Sequence, residues 1–465
     1  MERKPPISGI AQILFLLLFL VASFLSALSQ HMGAVGNYAM NRPGVVMVKT
    51  VFSANVYVNQ MKMDNKRFNH LLDSVQRLDT SGVIFSAEQK LDIVLRQMNN
   101  SPNRFFKATL DYIKQPEEIT STGTGFFITG NGYVATNSHL IERDNSFIRR
   151  RFILSAFQQI TEANIHALEN SWATSFTEQQ RNLLYNTYAS MYSRLFSMEL
   201  YDLKKEIFVV YGSNKMGSKT TKKAAMVVAN GQPMPGKDVA ILKIEGDSAL
   251  PTLKIASDQL PEVGEQLYVY GYPAPATNND FVAMESAIEP TLTTGIVSAI
   301  KNSIDGWPLI QMDANINHGS SGGPVCNSDG EVVGLTTFGS LGNNGALAAG
   351  LNFAIPVQIL REYLDTADVN PQVSKASQVF ADAVQFYETK YYRKALNKFE
   401  AVKKLNNNYP GLDNLIDSCS SRIKRGEDRG GFLLRNDLIV SSIMLLVITG
   451  IFLRNRNGSR HKSKH

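Results

Sequence analysis

Apolar positions along the chain follow two different patterns. Over most of residues 44–58 and 123–357 they form short runs rich in Val, Ile, Phe, Tyr and Thr, which Gly, Asn and Pro interrupt. Such runs predict β-strands, and no long helical pattern alternates with them as a parallel α/β sheet would require. The tetrapeptide TGNG at residues 129–132, between FFI and YVATN, predicts a tight hairpin. We therefore expect a mainly β fold built as a barrel or a sandwich.

Two other stretches, residues 66–113 and 145–200, repeat their apolar residues at helical spacing. The positions concerned are Phe68, Leu71, Leu72, Val75 and Leu78, then Leu91, Val94 and Met98 after a helix start at Ser86, and finally Leu184, Tyr188, Met191, Leu195 and Met198. These patterns predict helical insertions at about 59–117 and 142–205. Their apolar faces are expected to pack on the β domain or on each other, and an oligomer contact or a substrate lid is the alternative.

Beyond about residue 370 the pattern is helical. The positions that show it are Ala376, Ala383, Phe386, Tyr391, Ala395, Phe399 and Val402. Their order resembles one tetratricopeptide repeat, although Pro410 comes about three residues late, and a further helix is expected at about 411–424. Because repeat arrays normally need three units to bury a core, the segment 371–425 is either a partner-binding helical segment or a helical stalk.

The first residues follow the pattern of a secretory signal peptide. Charged residues at positions 2–4 precede the apolar run of residues 13–25, and the small residues Ala27 and Ser29 come after it. This order predicts a signal peptide, residues 1–29, that is cleaved after Ser29, and an uncleaved anchor is the alternative.

A second apolar segment, residues 438–453, carries no charge, and the tail 454–465 behind it contains five Lys or Arg residues and no acid. As a helix it would span roughly 24 Å, somewhat less than the ~30 Å hydrocarbon core of a bilayer. We predict one transmembrane helix with a basic cytoplasmic tail, which makes the chain a single-pass cell-membrane protein with its bulk outside the cytoplasm. A buried helix of a soluble domain is the alternative.

Composition narrows the classes of partner and cofactor. The 47 basic and 41 acidic residues give a net charge of +6, and five of the positive charges lie in the tail. The remainder is nearly balanced, which gives no indication of a nucleic-acid surface. The two cysteines, Cys326 and Cys419, are too few for a disulfide framework. No HExxH, CxxC pair, EF-hand loop or phosphate loop occurs, so we expect neither a metal nor a cofactor.

The decapeptide INHGSSGGPV, residues 316–325, contains two serines, a histidine and three glycines. A surface turn is the simple interpretation. A nucleophilic serine is the alternative, and it needs a base and a group that orients the base. His318 is close to both serines in a tight turn and would be poorly presented, and the remaining histidines except His139 lie in the helical insertions or near the ends. Asp238 opens the apolar strand DVAILKI, where a partly buried carboxylate needs a donor such as an imidazole N–H.

Three segments in this order, GTGFFITGNGYVATNSHLI, KDVAILKIE and IQMDANINHGSSGGPV, resemble those of the chymotrypsin-fold serine proteases, and among them the bacterial HtrA/Deg-type endoproteases most of all. The resemblance covers roughly residues 123–141 and 206–364. It implies two six-stranded antiparallel β-barrels with the active site at their junction, in a trypsin-like protease domain over residues 30–365. The expected activity is that of a serine endopeptidase that cleaves unfolded or flexible polypeptide segments, in protein quality control or regulated proteolysis.

The family's functional residues are carried over from the matching motifs. The resemblance makes His139 the general base, Asp238 its orienting carboxylate and Ser321 the nucleophile. The backbone N–H groups of Gly319 and Ser321 form the oxyanion hole, and Ser320 is a turn residue. An uncharged specificity pocket for small or medium apolar side chains is expected from Asn315, Asn352, Phe353 and Ala354.

The sequence departs from the family in the two helical insertions and in the segment after GLNFAIP, where no PDZ domain is recognisable. A helical segment and the predicted membrane span stand there instead. The alternative function is a protease-fold binding or scaffold protein in which catalysis is silenced or activated by a partner.

Overall fold

The computed structural model of the protein describes residues 33–83, 86–195, 198–212, 220–245, 249–273, 289–341 and 347–430. The chain divides into two compact units. The first combines the described parts of Met1–Val48, Thr122–Leu140 and Phe208–His465, and the second consists of the described parts of Lys49–Ser121 and Ile141–Ile207. All the candidate catalytic residues lie in the first unit. The domain boundaries drawn from the sequence stay predictions.

Six strands close the first barrel in the order β1-β2-β3-β6-β5-β4. They are β1 (Val45–Met63), β2 (Phe106–Phe127), β3 (Tyr133–Thr136), β4 (Met198–Tyr211), β5 (Thr221–Asn230) and β6 (Ala240–Ile244). Strand β3 pairs antiparallel on both sides, so that Ala135 lies opposite Phe126 of β2 and Ile241 of β6. These three side chains are fully buried in one core, as the apolar runs FFI, YVAT and AILKI predict.

Six further strands close the second barrel in the order β10-β11-β12-β9-β8-β7. They are β7 (Gln266–Gly271), β8 (Thr291–Asn302), β9 (Pro308–Met312), β10 (Pro324–Cys326), β11 (Val332–Leu341) and β12 (Leu347–Pro356). Val325 of β10 pairs with Val269 of β7, and both contribute to a core with Ile310 and Ala354. The prediction of two six-stranded antiparallel barrels is confirmed, which decides between the barrel and the sandwich.

The helices within the described residues connect or flank these strands. They are α1 (Ala34–Asn41), α2 (Asn65–Thr80), α3 (Ala87–Asn100), α4 (Pro102–Phe105), α5 (Ser138–Ile141), α6 (Asn145–Ser171), α7 (Glu178–Leu195), α8 (Val357–Thr366), α9 (Lys375–Glu388), α10 (Tyr392–Leu405) and α11 (Leu412–Lys424), with a 3₁₀ turn at Arg42–Gly44.

The second unit packs helices α2 to α4, α6 and α7 around an apolar core that also includes alternate residues of β1. Helix α3 begins with a capping box, in which Ser86 and Gln89 bond each other's backbone N–H. Phe68 and Val75 of α2 are buried, as predicted, whereas Leu72 and Leu78 remain 42% and 41% exposed. The apolar face of α2 that is covered is therefore narrower than the sequence predicts.

The stretch from Phe106 to Ile113 corrects one prediction, because it is the start of β2 and not part of a helical insertion. Apolar side chains such as Leu110 are exposed in this stretch, so apolar and polar residues do not alternate between buried and exposed positions as they do in a typical strand. Glu117 farther along the strand is nearly buried and accepts a hydrogen bond from Gln159 Nε2 at 3.0 Å. Because β2 has a charged residue at a buried position such as Glu117, its sequence lacks the apolar pattern that predicts a strand.

The C-terminal helices α9, α10 and α11 form a compact core of their own within the first unit. The ring of Phe380 packs at a tilt against those of Phe399 and Tyr409, with ring centroids 5.6 and 4.7 Å away. The helical character of this segment is confirmed. Its likeness to a tetratricopeptide repeat stays a prediction.

The predicted fold also contained a transmembrane helix, and this part is wrong for the structure as described. Among the described helices, none has both the length and the apolarity that crossing a bilayer demands. Residues 438–453, to which the span was assigned, and the predicted signal peptide both lie outside the described residues.

Candidate active site

Asp238 is the buried centre of the candidate site. Its side chain is fully buried just before β6, where a carboxylate needs several donors to offset the loss of water. Oδ1 accepts the backbone N–H of His139 at 2.8 Å, and Oδ2 lies 2.6 Å from His139 Nδ1. Oδ2 also accepts the hydroxyl of Thr337 at 2.8 Å. Three donors therefore hold the carboxylate in one orientation.

His139 lies on the short helix α5, directly after β3. Because a carboxylate only accepts hydrogen bonds, the contact with Asp238 Oδ2 assigns the ring proton to Nδ1. Nε2 is then left as an acceptor, which is the state a general base needs. The side chain is 27% exposed, so the ring is supported from behind and open on one side. Asn137 braces the same corner, since its Nδ2 donates to the carbonyl oxygen of Asp238 at 2.8 Å.

Ser321 lies in the connection from β9 to β10 and belongs to the second barrel. Its hydroxyl donates to the carbonyl oxygen of Thr337 at 3.1 Å. Over the described residues, no hydrogen bond joins this hydroxyl to His139. The structure thus brings Ser321, Asp238 and His139 to one place through Thr337, which contacts both the hydroxyl and the carboxylate.

The turn before Ser321 has the backbone shape expected of an oxyanion hole. Gly319 has φ = +97°, which favours glycine, and the N–H of Ser320 donates to the carbonyl oxygen of Asn317 at 2.9 Å. Within the described part of the chain, the backbone N–H groups of Gly319 and Ser321 have no hydrogen-bond acceptor. Two free donors beside a serine hydroxyl are what an acyl-transfer site requires.

Gly322 and Gly323 let this loop lie against the strands behind it. A Cβ at Gly322, where φ is +80°, would lie 2.2 Å from the carbonyl oxygen of Thr124, and a Cβ at Gly323 would lie 2.0 Å from that of Tyr270. The next tyrosine, Tyr272, is buried here too, and burial raises the pKa of its hydroxyl above the ordinary value. The side of the loop that faces these strands is therefore closely packed and buried.

The residues predicted for the specificity pocket do not share one face. Asn352 and Ala354 are buried on β12, and Asn352 Nδ2 donates to the carbonyl oxygen of Ala314 at 2.8 Å. Phe353 lies between them and packs into the other core, because side chains alternate along a strand. Asn315 is exposed, and its carbonyl oxygen accepts the hydroxyl of Thr293. Asn352 and Ala354 remain as candidates for one wall.

Sequence reasoning missed the threonines around the site, namely Thr124, Thr336 and Thr337. Their only signal is position, since Thr124 lies in GTGFF and the other two end GEVVGLTT. The first segment begins a candidate motif and the second follows one, but neither shows which carbonyl or carboxylate a hydroxyl will meet.

Comparison with known proteins agrees with this geometry. Residues 203–335 match the family model described as trypsin-like peptidase domain. That range includes Asp238 and Ser321, and His139 lies before it.

Three named relatives illustrate the similarity. The chain is 35% identical over 133 residues to serine endoprotease DegS of Salmonella typhimurium, covering 28% of this chain and 34% of that protein. It is 35% identical over 144 residues to a probable periplasmic serine endoprotease DegP-like of Pseudomonas fulva, covering 30% and 27%. It is 37% identical over 138 residues to serine protease HTRA4 of Mus musculus, covering 28% and 24%.

The matches thus span 24% to 34% of the length of these relatives. Within that part, the chain contains a trypsin-like peptidase domain homologous to DegS, DegP-like and HtrA serine proteases.

Proposed function

We propose that this trypsin-like peptidase domain is a serine endopeptidase in which Ser321 is the nucleophile, His139 the general base and Asp238 the residue that orients the base. The observation that carries the proposal is the double contact between Asp238 and His139, at 2.8 and 2.6 Å. It supports a ring whose Nδ1 carries a proton toward Asp238, which leaves Nε2 as the nitrogen that can act on Ser321. The homology to named serine endoproteases points to the same reaction.

The reaction proceeds through an acyl-enzyme. Ser321 Oγ attacks the carbonyl carbon of the scissile peptide, and its proton passes to His139 Nε2. The imidazolium is stabilised by Asp238 and gives that proton to the leaving amine as the C–N bond breaks. A water molecule then gives a proton to the same nitrogen and attacks the ester carbon. That proton passes to Ser321 Oγ as the ester C–O bond breaks and the acid product leaves. No cofactor takes part in either half of this cycle.

The negative charge that develops on the substrate oxygen needs donors that are already in place. The free N–H groups of Gly319 and Ser321 supply two of them. Because Gly319 is buried, a hydrogen bond from its N–H is stronger than it would be in water. The positive φ of Gly319 supports this role.

The substrates we propose are unfolded or flexible segments of polypeptide. A cleft at the junction of two barrels accepts an extended strand, which a folded domain rarely offers. The uncharged wall of Asn352 and Ala354 favours a small or medium apolar side chain before the cleaved bond. A location outside the cytoplasm is part of the proposal, supported by the signal-peptide pattern and by the word periplasmic in the name of a relative.

A fluorophosphonate probe tests the proposal, because it phosphonylates a serine only where a base activates it. We expect the wild-type chain to be labelled, Ser321→Ala to give no label, and Ser320→Ala to remain labelled. Ser320 is the matched control, since its Oγ instead approaches the backbone N–H of Asn317 at 3.4 Å. A wild-type chain that stays unlabelled with and without denatured casein would overturn the proposal, as would label on Ser321→Ala.

One observation favours a second candidate, a protease-fold protein whose catalysis is activated by a partner. The hydroxyl of Ser321 is engaged by the carbonyl oxygen of Thr337 rather than by His139. Labelling that begins only when an unfolded polypeptide such as denatured casein is added would favour this candidate. If the chain alone is labelled as fast as the chain with denatured casein, this candidate is contradicted.

A further inference from the structure

Residues 317–323 form the loop that carries Ser321, the nucleophile loop. Three consecutive carbonyl oxygens of this loop each accept a hydrogen bond from a threonine. The hydroxyl of Thr124 donates to the oxygen of Gly319 at 2.7 Å, and the backbone N–H of Thr124 donates to that of Ser321 at 2.8 Å. The hydroxyl of Thr336 donates to the oxygen between them, that of Ser320, at 2.5 Å. Thr124 lies on β2 of the first barrel, and Thr336 lies on β11 of the second.

The direction of a carbonyl fixes the direction of the N–H on the same peptide. In a trans peptide the C=O and the N–H point to opposite sides. The bond from Thr336 to the oxygen of Ser320 therefore turns the N–H of Ser321 away from Thr336. The N–H of Gly323 reinforces it with a bond to the same oxygen at 3.0 Å.

The bond from Thr124 acts on the other donor by selecting the type of turn. Residues 317–320 form a four-residue turn, closed by the bond from Ser320 N–H to the oxygen of Asn317. With φ = +97° at Gly319 it is of type II, whereas a type I turn needs about −90° there. The two types differ by a flip of the central peptide, which carries the N–H of Gly319. By fixing the next carbonyl, Thr124 stabilises the type II form.

We propose that Thr124 and Thr336 are positioning residues that hold the backbone donors of Gly319 and Ser321 toward the substrate oxygen. This inference rests on the proposed peptidase activity and adds the two side chains that organise its oxyanion hole. Neither threonine touches the reacting atoms, and each acts through the carbonyl oxygen that it binds.

The hydroxyl groups, rather than the space they fill, carry this role. Both side chains are buried, at 0% exposure. Thr124 Oγ1 also accepts the N–H of Tyr272 at 3.0 Å, and Thr336 Oγ1 accepts that of Gly323 at 3.1 Å. Each hydroxyl thus donates one hydrogen bond and accepts another, and so links its own strand to the nucleophile loop. Valine has the same shape but offers neither a donor nor an acceptor.

The test compares Thr124→Val and Thr336→Val with the serine variants that keep the hydroxyl. The measurements are the second-order rate constant of fluorophosphonate labelling, and kcat and KM for an internally quenched casein-derived peptide. Thr252→Val is the matched control, because this buried hydroxyl also accepts a backbone N–H, that of Ser374, which belongs to the helical segment. Circular dichroism and thermal unfolding give the folded fraction of each variant.

We expect both valine variants to lose about 10- to 100-fold in kcat and in the labelling rate, with KM nearly unchanged. Complete removal of one oxyanion donor costs about 10²- to 10³-fold, and a misdirected donor costs less. The serine variants and Thr252→Val should stay within about threefold of the wild type, since the loop bonds remain.

Two results would overturn the inference. One is a valine variant that turns over and labels at the wild-type rate per folded molecule, and the other is an equal loss in Thr252→Val. If a valine variant does not fold, Thr124→Cys supplies the weaker donor in a side chain of similar size, and its kcat decides instead. Failure of the proposed function itself is recognised separately, because the wild-type chain would then not be labelled at all.

Discussion

Both oxygens of the Asp238 carboxylate contact His139, one through the backbone N–H at 2.8 Å and the other through Nδ1 at 2.6 Å. The two residues are 99 positions apart in the chain. A single contact would leave the ring free to swing, whereas two contacts fix the position of the residue and the plane of the imidazole. The direction of Nε2 is therefore set by the fold before any substrate arrives.

Asp238→Asn tests whether this carboxylate fixes the tautomer. An amide at residue 238 can present an N–H to Nδ1 and so favour the proton on Nε2, which removes the base. We expect kcat to fall by about 10³- to 10⁴-fold while the chain stays folded. Asp382→Asn is the control, because that exposed carboxylate pairs with Lys398 in the helical segment. Unchanged turnover of a peptide substrate in Asp238→Asn would contradict the assigned role.

The two barrels and the places of His139, Asp238 and Ser321 could be predicted because each has a local signal. Short β-rich runs mark the strands, and each of the three residues lies in a recognisable motif. The partners of Thr124 could not be predicted. Its hydroxyl meets a carbonyl 195 positions away, and that contact depends on how the two strands approach each other, which no local pattern records.

Two further observations concern the faces on which predicted side chains lie. Helical periodicity places Leu72 on the same face as Phe68 and Val75, but a sequence does not tell how wide a face its neighbours will cover. Phe353 is different, because strand alternation already separates it from Asn352 and Ala354. The sequence itself therefore indicates that Phe353 faces away from the other two residues, and the pocket stays a prediction.

Gly322→Ala should destabilise the chain far more than Gly264→Ala. Both glycines have positive φ, +80° and +96°, so each substitution carries about 1–2 kcal/mol of backbone strain. A Cβ at Gly264 meets nothing within 4 Å, whereas at Gly322 it meets the carbonyl oxygen of Thr124 at 2.2 Å. We expect a total loss of about 3 kcal/mol or more at Gly322, because overpacking is added to the strain. Urea denaturation measures both, and equal losses would show that the loop yields without cost.

Ser377→Ala should weaken the attachment of the helical segment. The backbone N–H of Thr252 donates to Ser377 Oγ at 2.7 Å, and the same oxygen lies 3.2 Å from the hydroxyl of Tyr409. Alanine leaves a buried N–H without a partner, which costs about 1–3 kcal/mol in the free energy of unfolding. Ser421→Ala on α11 is the control, because this side chain is exposed and its loss should change stability by less than about 0.5 kcal/mol. If the two variants unfold at the same denaturant concentration, the bond contributes nothing.

The two cysteines should be unreactive in the folded chain. Cys326 and Cys419 are free and buried. Burial raises the pKa of the Cys419 thiol to about 11, against a smaller lowering by Arg422, and burial raises that of Cys326 as well. The thiolate is the reactive form, so at pH 8 only about 0.1% of the Cys419 thiol is ready to react.

We expect no fast reaction of the native chain with a disulfide reagent. The rate of that reaction should rise as the pH approaches the raised pKa, and two thiols per chain should react in guanidinium chloride without reductant. Cys419→Ser, which leaves one thiol, identifies the contribution of Cys326. Rapid modification of the native chain at pH 8 would contradict the burial, and thiols that appear only after reduction would show a disulfide in place of the two free side chains.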